Sequence, residues 1–93
     1  MKHCILAKFK KEFDLDSHME DIRSIFDTIK IDGIHFVEYK RNCIARENRY
    51  DLLIRIDMDK EALPLYDDCE NHHRWKDVYG PSLEKKAIFD YED

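Results

Sequence analysis

The segment CENHHRWKDVYG, residues 69–80, concentrates side chains that can carry chemistry. It contains Cys69, the adjacent histidines His72 and His73, and the large aromatic residues Trp75 and Tyr79. Histidine titrates near neutral pH, so it can take a proton from an acidic carbon or hydroxyl group. On a helix, neighbouring side chains point about 100° apart. We therefore expect His72 to face inward and His73 to face solvent.

A metal site is a second interpretation of this segment. Cys69 and His72 are three residues apart, so on a helix they share a face and supply two potential metal ligands. A zinc site needs further ligands, and Glu70 and His73 point elsewhere on the same helix. We therefore expect no bound metal and no cofactor. The simplest interpretations are a small buried thiol at Cys69 and an imidazole that bonds a backbone carbonyl at His72.

Composition limits the classes of protein to which the chain can belong. Its 93 residues predict one domain, residues 1–93. The 21 acidic residues outnumber the 16 basic ones, whereas nucleic-acid binding needs a basic surface, so we expect no nucleic-acid partner. No apolar run approaches a membrane span, and the start MKHCILAKFKK has too short an apolar core for a signal peptide. The three cysteines match no disulfide framework, so we expect a cytoplasmic protein without a membrane partner.

Four segments have the apolar alternation of strands. Residues 3–9 and 50–58 alternate cleanly, and each presents one apolar face. Residues 34–39 and 85–91 alternate less regularly and are predicted as two further strands. In the last strand we expect Ala87, Phe89 and Tyr91 to face the helices. His3, Ile5 and Leu52 are expected to face the helices from the other strands.

Two helical regions separate these strands. Ser17 and Glu20 have the spacing of a capping box, and the helix that follows carries an apolar stripe: Met19, Ile22, Ile25, Phe26 and Ile29. Asp59 is expected to cap the second helix. Pro64 fits that helix only in its first turn. The second helix is expected to hold Tyr66 and Cys69 and to continue through residues 71–79.

The resulting order, β-α-β-β-α-β, is typical of an α+β, ferredoxin-like fold with a four-stranded antiparallel sheet and both helices on one face. The opposite sheet face mixes apolar and charged residues. It could stay in contact with water or pack against a second copy of the chain. Arg55 and Asp57 on that face could pair across a two-fold axis or within one sheet.

Three segments resemble the stress-responsive A/B barrel family, also called Dabb: KHCILAKFK, YDLLIRIDMDKEALPLY and HHRWKDVYGPSLEKKAIFDYE. Together they cover nearly the whole chain and keep the family's order of segments. The resemblance implies a homodimer in which two ferredoxin-like subunits pack sheet face against sheet face. Such an assembly is a dimeric α+β barrel.

Within this family the sequence is distantly similar to olivetolic acid cyclase, a plant polyketide cyclase. The resemblance implies a pocket between sheet and helices, with His72 as base and with Tyr66 and His3 orienting the substrate and stabilising an oxyanion. Two departures from the pattern occur. Leu52 stands where the cyclase has another pocket histidine, and Cys69 and Glu70 replace the His and Pro of the family's H-P-x-H segment.

Apolar residues from several elements are candidates for the lining of that pocket: Ile5, Phe26, Leu52, Ile54, Trp75 and Tyr79. Large apolar side chains at these positions serve a solid core equally well, because aromatic residues dominate small cores.

Three functions remain open. The first is a small homodimeric protein that binds an apolar or carbonyl compound in the pocket, with no assigned activity. The second is a cofactor-free enzyme that performs proton-transfer chemistry of the cyclase or aldol type with His72 as base. The third is a cofactor-free or heme-dependent monooxygenase, which rests on analogy of fold alone.

Overall fold

A computed structural model describes the whole chain, residues 1–93, and its strands and helices follow the predicted order. The second helical region consists of two helices rather than one. Three short 3₁₀ turns also occur, at Asp16–His18, Lys60–Ala62 and Gly80–Ser82. The main elements are β1 (Lys2–Phe9), α1 (Met19–Asp27), β2 (Ile34–Arg41), β3 (Leu52–Met58), α2 (Leu63–Asp68), α3 (Glu70–Tyr79) and β4 (Leu83–Tyr91).

The four strands form one antiparallel sheet in the order β2-β3-β1-β4. The central strands β1 and β3 carry the cleanest alternation, and their inward residues, such as Ile5 and Ile54, lie opposite each other. The three helices cover one face of the sheet and bury a single apolar core against it. The ferredoxin-like α+β fold is therefore confirmed. None of the helices combines the length and the apolar character needed to cross a membrane.

The orientation of β4 differs from the prediction. Ala87 lies opposite Leu6 and Phe89 lies opposite Cys4, so both point to the sheet face away from the helices. Tyr91 shares that face, which we call the far face. The residues of β4 that point toward the helices are Lys86, Ile88 and Asp90. Since β4 is an edge strand with most of its residues exposed, its apolar alternation does not reveal which side is buried.

The start of α1 also differs from the prediction. The expected capping box does not form, because the Ser17 hydroxyl donates to the carbonyl of Asp14 rather than capping α1. A 3₁₀ turn occupies Asp16–His18, and the α-helix begins at Met19. The predicted apolar stripe is nevertheless correct. Its four helical members are buried, and Ile29, just beyond the helix, packs against the core.

The predicted continuous second helix is interrupted at Cys69. This residue has extended backbone angles, φ −74° and ψ 156°, and serves as the N-cap of α3, where its Sγ accepts from the backbone N–H of His72. Pro64 lies in the first turn of α2, the position at which its missing N–H costs nothing. Asp59 precedes the 3₁₀ turn at Lys60–Ala62, and its side chain makes no capping hydrogen bond. The break at Cys69 changes the direction of the chain just before His72.

Candidate functional site

A cleft opens at the edge of the sheet between β4 and the α2–α3 pair. Its volume is about 370 Å³, a size that suits a small organic ligand. Both inward-facing histidines of the sequence prediction lie in its wall. The lining residues are His3, Leu63, Asp67, His72, Lys76, Lys86, Ile88 and Asp90.

The cleft differs from two larger depressions in holding two histidines. A larger depression of about 590 Å³ lies on the outer side of α3 and contains His73, with no second histidine. Another, of about 410 Å³, lies near the start of α1 and contains no histidine. His72 and His73 thus open onto different surfaces, in line with the expectation that they point in different directions.

His72 is held by the backbone of α2. Its Nδ1 lies 2.9 Å from the carbonyl oxygen of Asp67, and because a carbonyl only accepts, Nδ1 carries the hydrogen. In the neutral ring the lone pair is therefore on Nε2, which has no hydrogen-bond partner in the chain. Partial burial lowers the pKa of His72 below its usual value of 6.5. The hydrogen bond from Nδ1 to the Asp67 carbonyl and the charge of the Asp67 carboxylate oppose this shift, and the positive charges of Lys76 and Lys86 add to it. His72 is thus a neutral imidazole at pH 7 with a free basic nitrogen.

His3 reaches the same cleft from β1. Its Nδ1 lies 2.5 Å from Oδ1 of Asp90 on the neighbouring strand β4. Only 5% of the residue is exposed, so the imidazole is buried. The carboxylate accepts from Nδ1, which again places the lone pair of the neutral ring on Nε2. Asp90 therefore fixes both the orientation and the tautomer of His3.

Tyr66 packs against both histidines but does not itself line the cleft. Its ring centroid is 5.3 Å from that of His3 and 4.7 Å from that of His72. The residue is fully buried, with 0% exposure, and its hydroxyl is the only buried side-chain polar atom without a hydrogen-bond partner. Burial raises the pKa of the Tyr66 hydroxyl, so it remains a protonated donor. The three predicted site residues thus form one cluster.

The six residues predicted to line the pocket lie elsewhere. All six belong to the buried core, and none lines the cleft. Trp75 packs against Phe26 with ring centroids 5.4 Å apart, and the Tyr79 hydroxyl donates to Asp21 at 2.6 Å. These side chains pack in the core between the sheet and the helices: Ile5, Phe26, Leu52, Ile54, Trp75 and Tyr79.

The contact between Cys69 and His72 is a helix cap. The Sγ of Cys69 accepts from the backbone N–H of His72 at 3.4 Å, while the His72 ring turns to Asp67. No group of three or more His, Cys, Asp or Glu side chains has an arrangement that could hold a metal ion.

Most of the cleft wall was not predicted from the sequence. The expected orientation of β4 implied that Lys86, Ile88 and Asp90 point away from the helices, and Lys76 was not a predicted site residue. One signal was available for Lys76: it follows His72 by four residues, the spacing that places two side chains on one helix face. No comparable signal exists for the three residues of β4, because their position depends on pairing with β1.

Comparison with solved structures identifies the architecture. A Dabb family protein from Mesorhizobium loti with a ferredoxin-like fold superposes with a TM-score of 0.78 at 22% identity, covering 99% of this chain and 94% of the other. The fold is that of a Dabb family protein. A dimeric ferredoxin-like protein of unknown function from Jannaschia sp. CCS1 gives a TM-score of 0.78 at 21% identity, covering 99% and 97% of the two chains.

A hydroxynitrile lyase from Passiflora edulis is also similar, with a TM-score of 0.75 at 8% identity over 97% of this chain and 89% of the other. No family model matches the sequence, and no curated protein matches it. At these identities the shared feature is the fold. The resemblance to Dabb noted from the sequence is therefore matched by the three-dimensional structure.

Proposed function

We propose that the chain is a homodimeric protein of the Dabb family that binds a small carbonyl compound in the cleft between β4 and the α2–α3 pair. The observation that carries this proposal is the buried, unpartnered hydroxyl of Tyr66, whose ring packs against those of His3 and His72. A buried donor without a partner costs about 1–3 kcal/mol. The carbonyl oxygen of a ligand that enters between the two imidazoles accepts from this hydroxyl and removes that cost.

The far face supports the dimer. Phe36 on β2 and Phe89 on β4 lie on this face with 55% and 63% of their surfaces exposed, and Tyr91, 6.0 Å from Phe89 between ring centroids, is also exposed. Large aromatic residues exposed together on one face are typical of a protein interface. Three structural neighbours are described as dimeric ferredoxin-like proteins.

The charged residues of the far face are already paired within one subunit. Arg55 donates to Asp57 at 2.9 Å and contacts Glu38 at 2.8 Å, and all three side chains are about three-quarters buried. Because these charges are neutralised before association, a second sheet can cover them without leaving an isolated buried charge. This supports pairing within the sheet rather than across the two-fold axis.

Ligand binding is tested by titrating the ¹⁵N-labelled protein with 3-benzoylpropanoate and with its methyl ester, both of which carry an aromatic ketone. We expect amide shifts at His3, His72 and Ile88, with a dissociation constant of about 1 mM or below. The amide of Arg74 on the outer side of α3 should not move. Absence of shifts around the cleft at several times that concentration of either compound contradicts the proposal.

Proton-transfer catalysis is the second candidate function, and the state of His72 favours it. Its Nε2 is a free base at neutral pH, because the hydrogen is held on Nδ1 and the pKa is lowered. In this mechanism Nε2 takes a proton from a carbon next to the ligand carbonyl. The Tyr66 hydroxyl donates to the enolate oxygen that develops, and His3 orients the ligand. One neighbour of this fold is named a hydroxynitrile lyase, which shows that the architecture can support an enzyme.

The catalytic candidate is tested by deuterium exchange. In D₂O the protons beside the ketone of 3-benzoylpropanoate are replaced by deuterium when a base abstracts them, and NMR follows their loss. We expect the protein to accelerate exchange, and His72→Gln to reduce that acceleration by about 10²-fold or more. His73→Gln is the matched control and should retain the rate. Equal exchange by the wild type and His72→Gln rules out His72 as the base.

A further inference from the structure

We infer that the cleft selects an anionic ligand, a small carboxylate that also bears an apolar group, through Lys76 and Lys86. This inference rests on the proposed ligand site in the cleft and adds a substrate class to it. The two lysines belong to different elements, α3 and β4, and both line the cleft that contains His3 and His72.

Backbone geometry places both lysines beside the histidines. Lys76 follows His72 by four residues on α3, so the two side chains share one helix face. Lys86 lies opposite Ala7 in the β1–β4 pairing, which puts it on the helix side of the sheet with Asp90, the partner of His3. The positive charges of Lys76 and Lys86 also help to lower the pKa of His72, as expected for ammonium groups near the ring.

Neither ammonium group is neutralised by the chain. The ion pairs of the structure involve other lysines, including Lys2, Lys8, Lys40 and Lys60, while Lys76 and Lys86 make none. Both positive charges are therefore available to a ligand.

Two acidic residues also line the cleft, and their roles differ. Asp90 accepts the hydrogen bond from Nδ1 of His3, so its charge is engaged by the imidazole. Asp67 contributes its backbone carbonyl to His72, and its carboxylate lies on the exposed surface of α2. The wall thus carries two lysines and two aspartates; Asp90 is hydrogen-bonded to His3, whereas both ammonium groups are free to contact an anion.

The apolar part of the ligand is indicated by Leu63 and Ile88, the two hydrophobic residues of the wall. Ile88 points to the helix side of β4, yet 48% of its surface is exposed, because the helices do not cover this edge of the sheet. An apolar group that covers Ile88 gains the free energy of burying that surface. The wall therefore fits a molecule that joins an apolar group to a carboxylate, with its carbonyl oxygen directed to Tyr66.

The test compares 3-benzoylpropanoate with its methyl ester, two probes that share a carbon framework and differ in charge. A single exposed ion pair adds little to the affinity of a ligand. Contacts of the carboxylate with both ammonium groups together predict about tenfold tighter binding of the acid than of the ester in low salt. The Lys76→Gln/Lys86→Gln double variant should lose this preference while it still binds the ester. The control Lys10→Gln/Lys11→Gln removes the same charge from the far end of β1 and should keep the preference.

Several outcomes overturn the inference. Equal affinity of acid and ester in the wild type shows that charge is not selected. An equal loss of preference in the control double variant shows a general effect of net charge. If the ester binds at the cleft with the same affinity as the acid, the ligand site survives and only the anion selectivity fails. If neither probe moves the amides of His3 and His72, the ligand site and the selectivity fail together.

Discussion

His3 and Asp90 are joined across the edge of the sheet, with Nδ1 of the imidazole 2.5 Å from Oδ1 of the carboxylate. They lie directly opposite each other in the β1–β4 pairing although 87 positions separate them in the chain. The strand pairing therefore builds one wall of the cleft, and α2 and α3 supply the other.

The His3–Asp90 contact predicts the tautomer of His3. Replacement of Asp90 by Ala removes the acceptor for Nδ1–H, so the neutral ring should change to the form with hydrogen on Nε2. The ¹⁵N shifts of the two ring nitrogens report this change directly. Asp93→Ala is the control, since Asp93 contacts Lys2 at the exposed end of the sheet. An unchanged His3 tautomer in Asp90→Ala contradicts the assigned role of Asp90.

The Tyr66 hydroxyl predicts opposite effects on stability and function. Because it is buried without a partner, Tyr66→Phe should leave the free energy of unfolding unchanged or raise it by about 1 kcal/mol. The same variant should weaken binding of 3-benzoylpropanoate, since the donor to its ketone is gone. Denaturant unfolding and NMR titration measure the two effects.

Tyr79→Phe provides the comparison for Tyr66→Phe. The Tyr79 hydroxyl donates to Asp21 at 2.6 Å, so its removal should lower the free energy of unfolding by about 1 kcal/mol. Ligand binding should remain, because the Tyr79 ring packs against Phe13 and Trp75 rather than against His3 and His72. If Tyr66→Phe destabilises the protein as much as Tyr79→Phe does, the Tyr66 hydroxyl has a partner in the free protein.

The partial burial of His72 predicts the pH range in which its imidazole titrates. Desolvation, together with Lys76 and Lys86, lowers the pKa of His72 in the folded state below 6.5. The unfolded chain therefore binds the proton more tightly, so this residue's contribution to stability is complete above pH 6.5 and is lost as the pH falls below it. The Hε1 shift of His72 followed by NMR should show a midpoint below 6.5. A midpoint above that value is incompatible with the burial described.

The far face predicts the state of association. Sedimentation equilibrium should give a mass twice the 11.3 kDa of one chain. Phe89→Glu places a charge on the far face within the proposed interface, so it should shift the protein to the monomer mass. Leu65→Glu is the control, because Leu65 is 59% exposed on α2, outside the sheet. A monomeric wild type, or equal dissociation of both variants, argues against a dimer through the far face.

The sequence alone predicted the type and the orientation of an element where one face of that element is buried and the other is not. In β1 and β3 the inward residues are buried and the outward ones, apart from the buried Cys4, are partly exposed, so alternation reveals both the strand and its orientation. The apolar stripe of α1 is equally clear. These elements determined the fold, and they also placed His3 correctly on the helix side of the sheet.

The tertiary structure decided the composition of the cleft. Along β4, an edge strand with an irregularity opposite Lys8 and Phe9, both faces remain accessible, and a shift of one residue reverses every side chain. Pairing with β1 turns Lys86 and Asp90 toward the helices and turns Phe89 away from them. The break at Cys69 likewise depends on packing, because α2 and α3 must change direction to cover the sheet. The sequence thus determined which residues could act on a proton, and the strand register determined the charged groups that surround them.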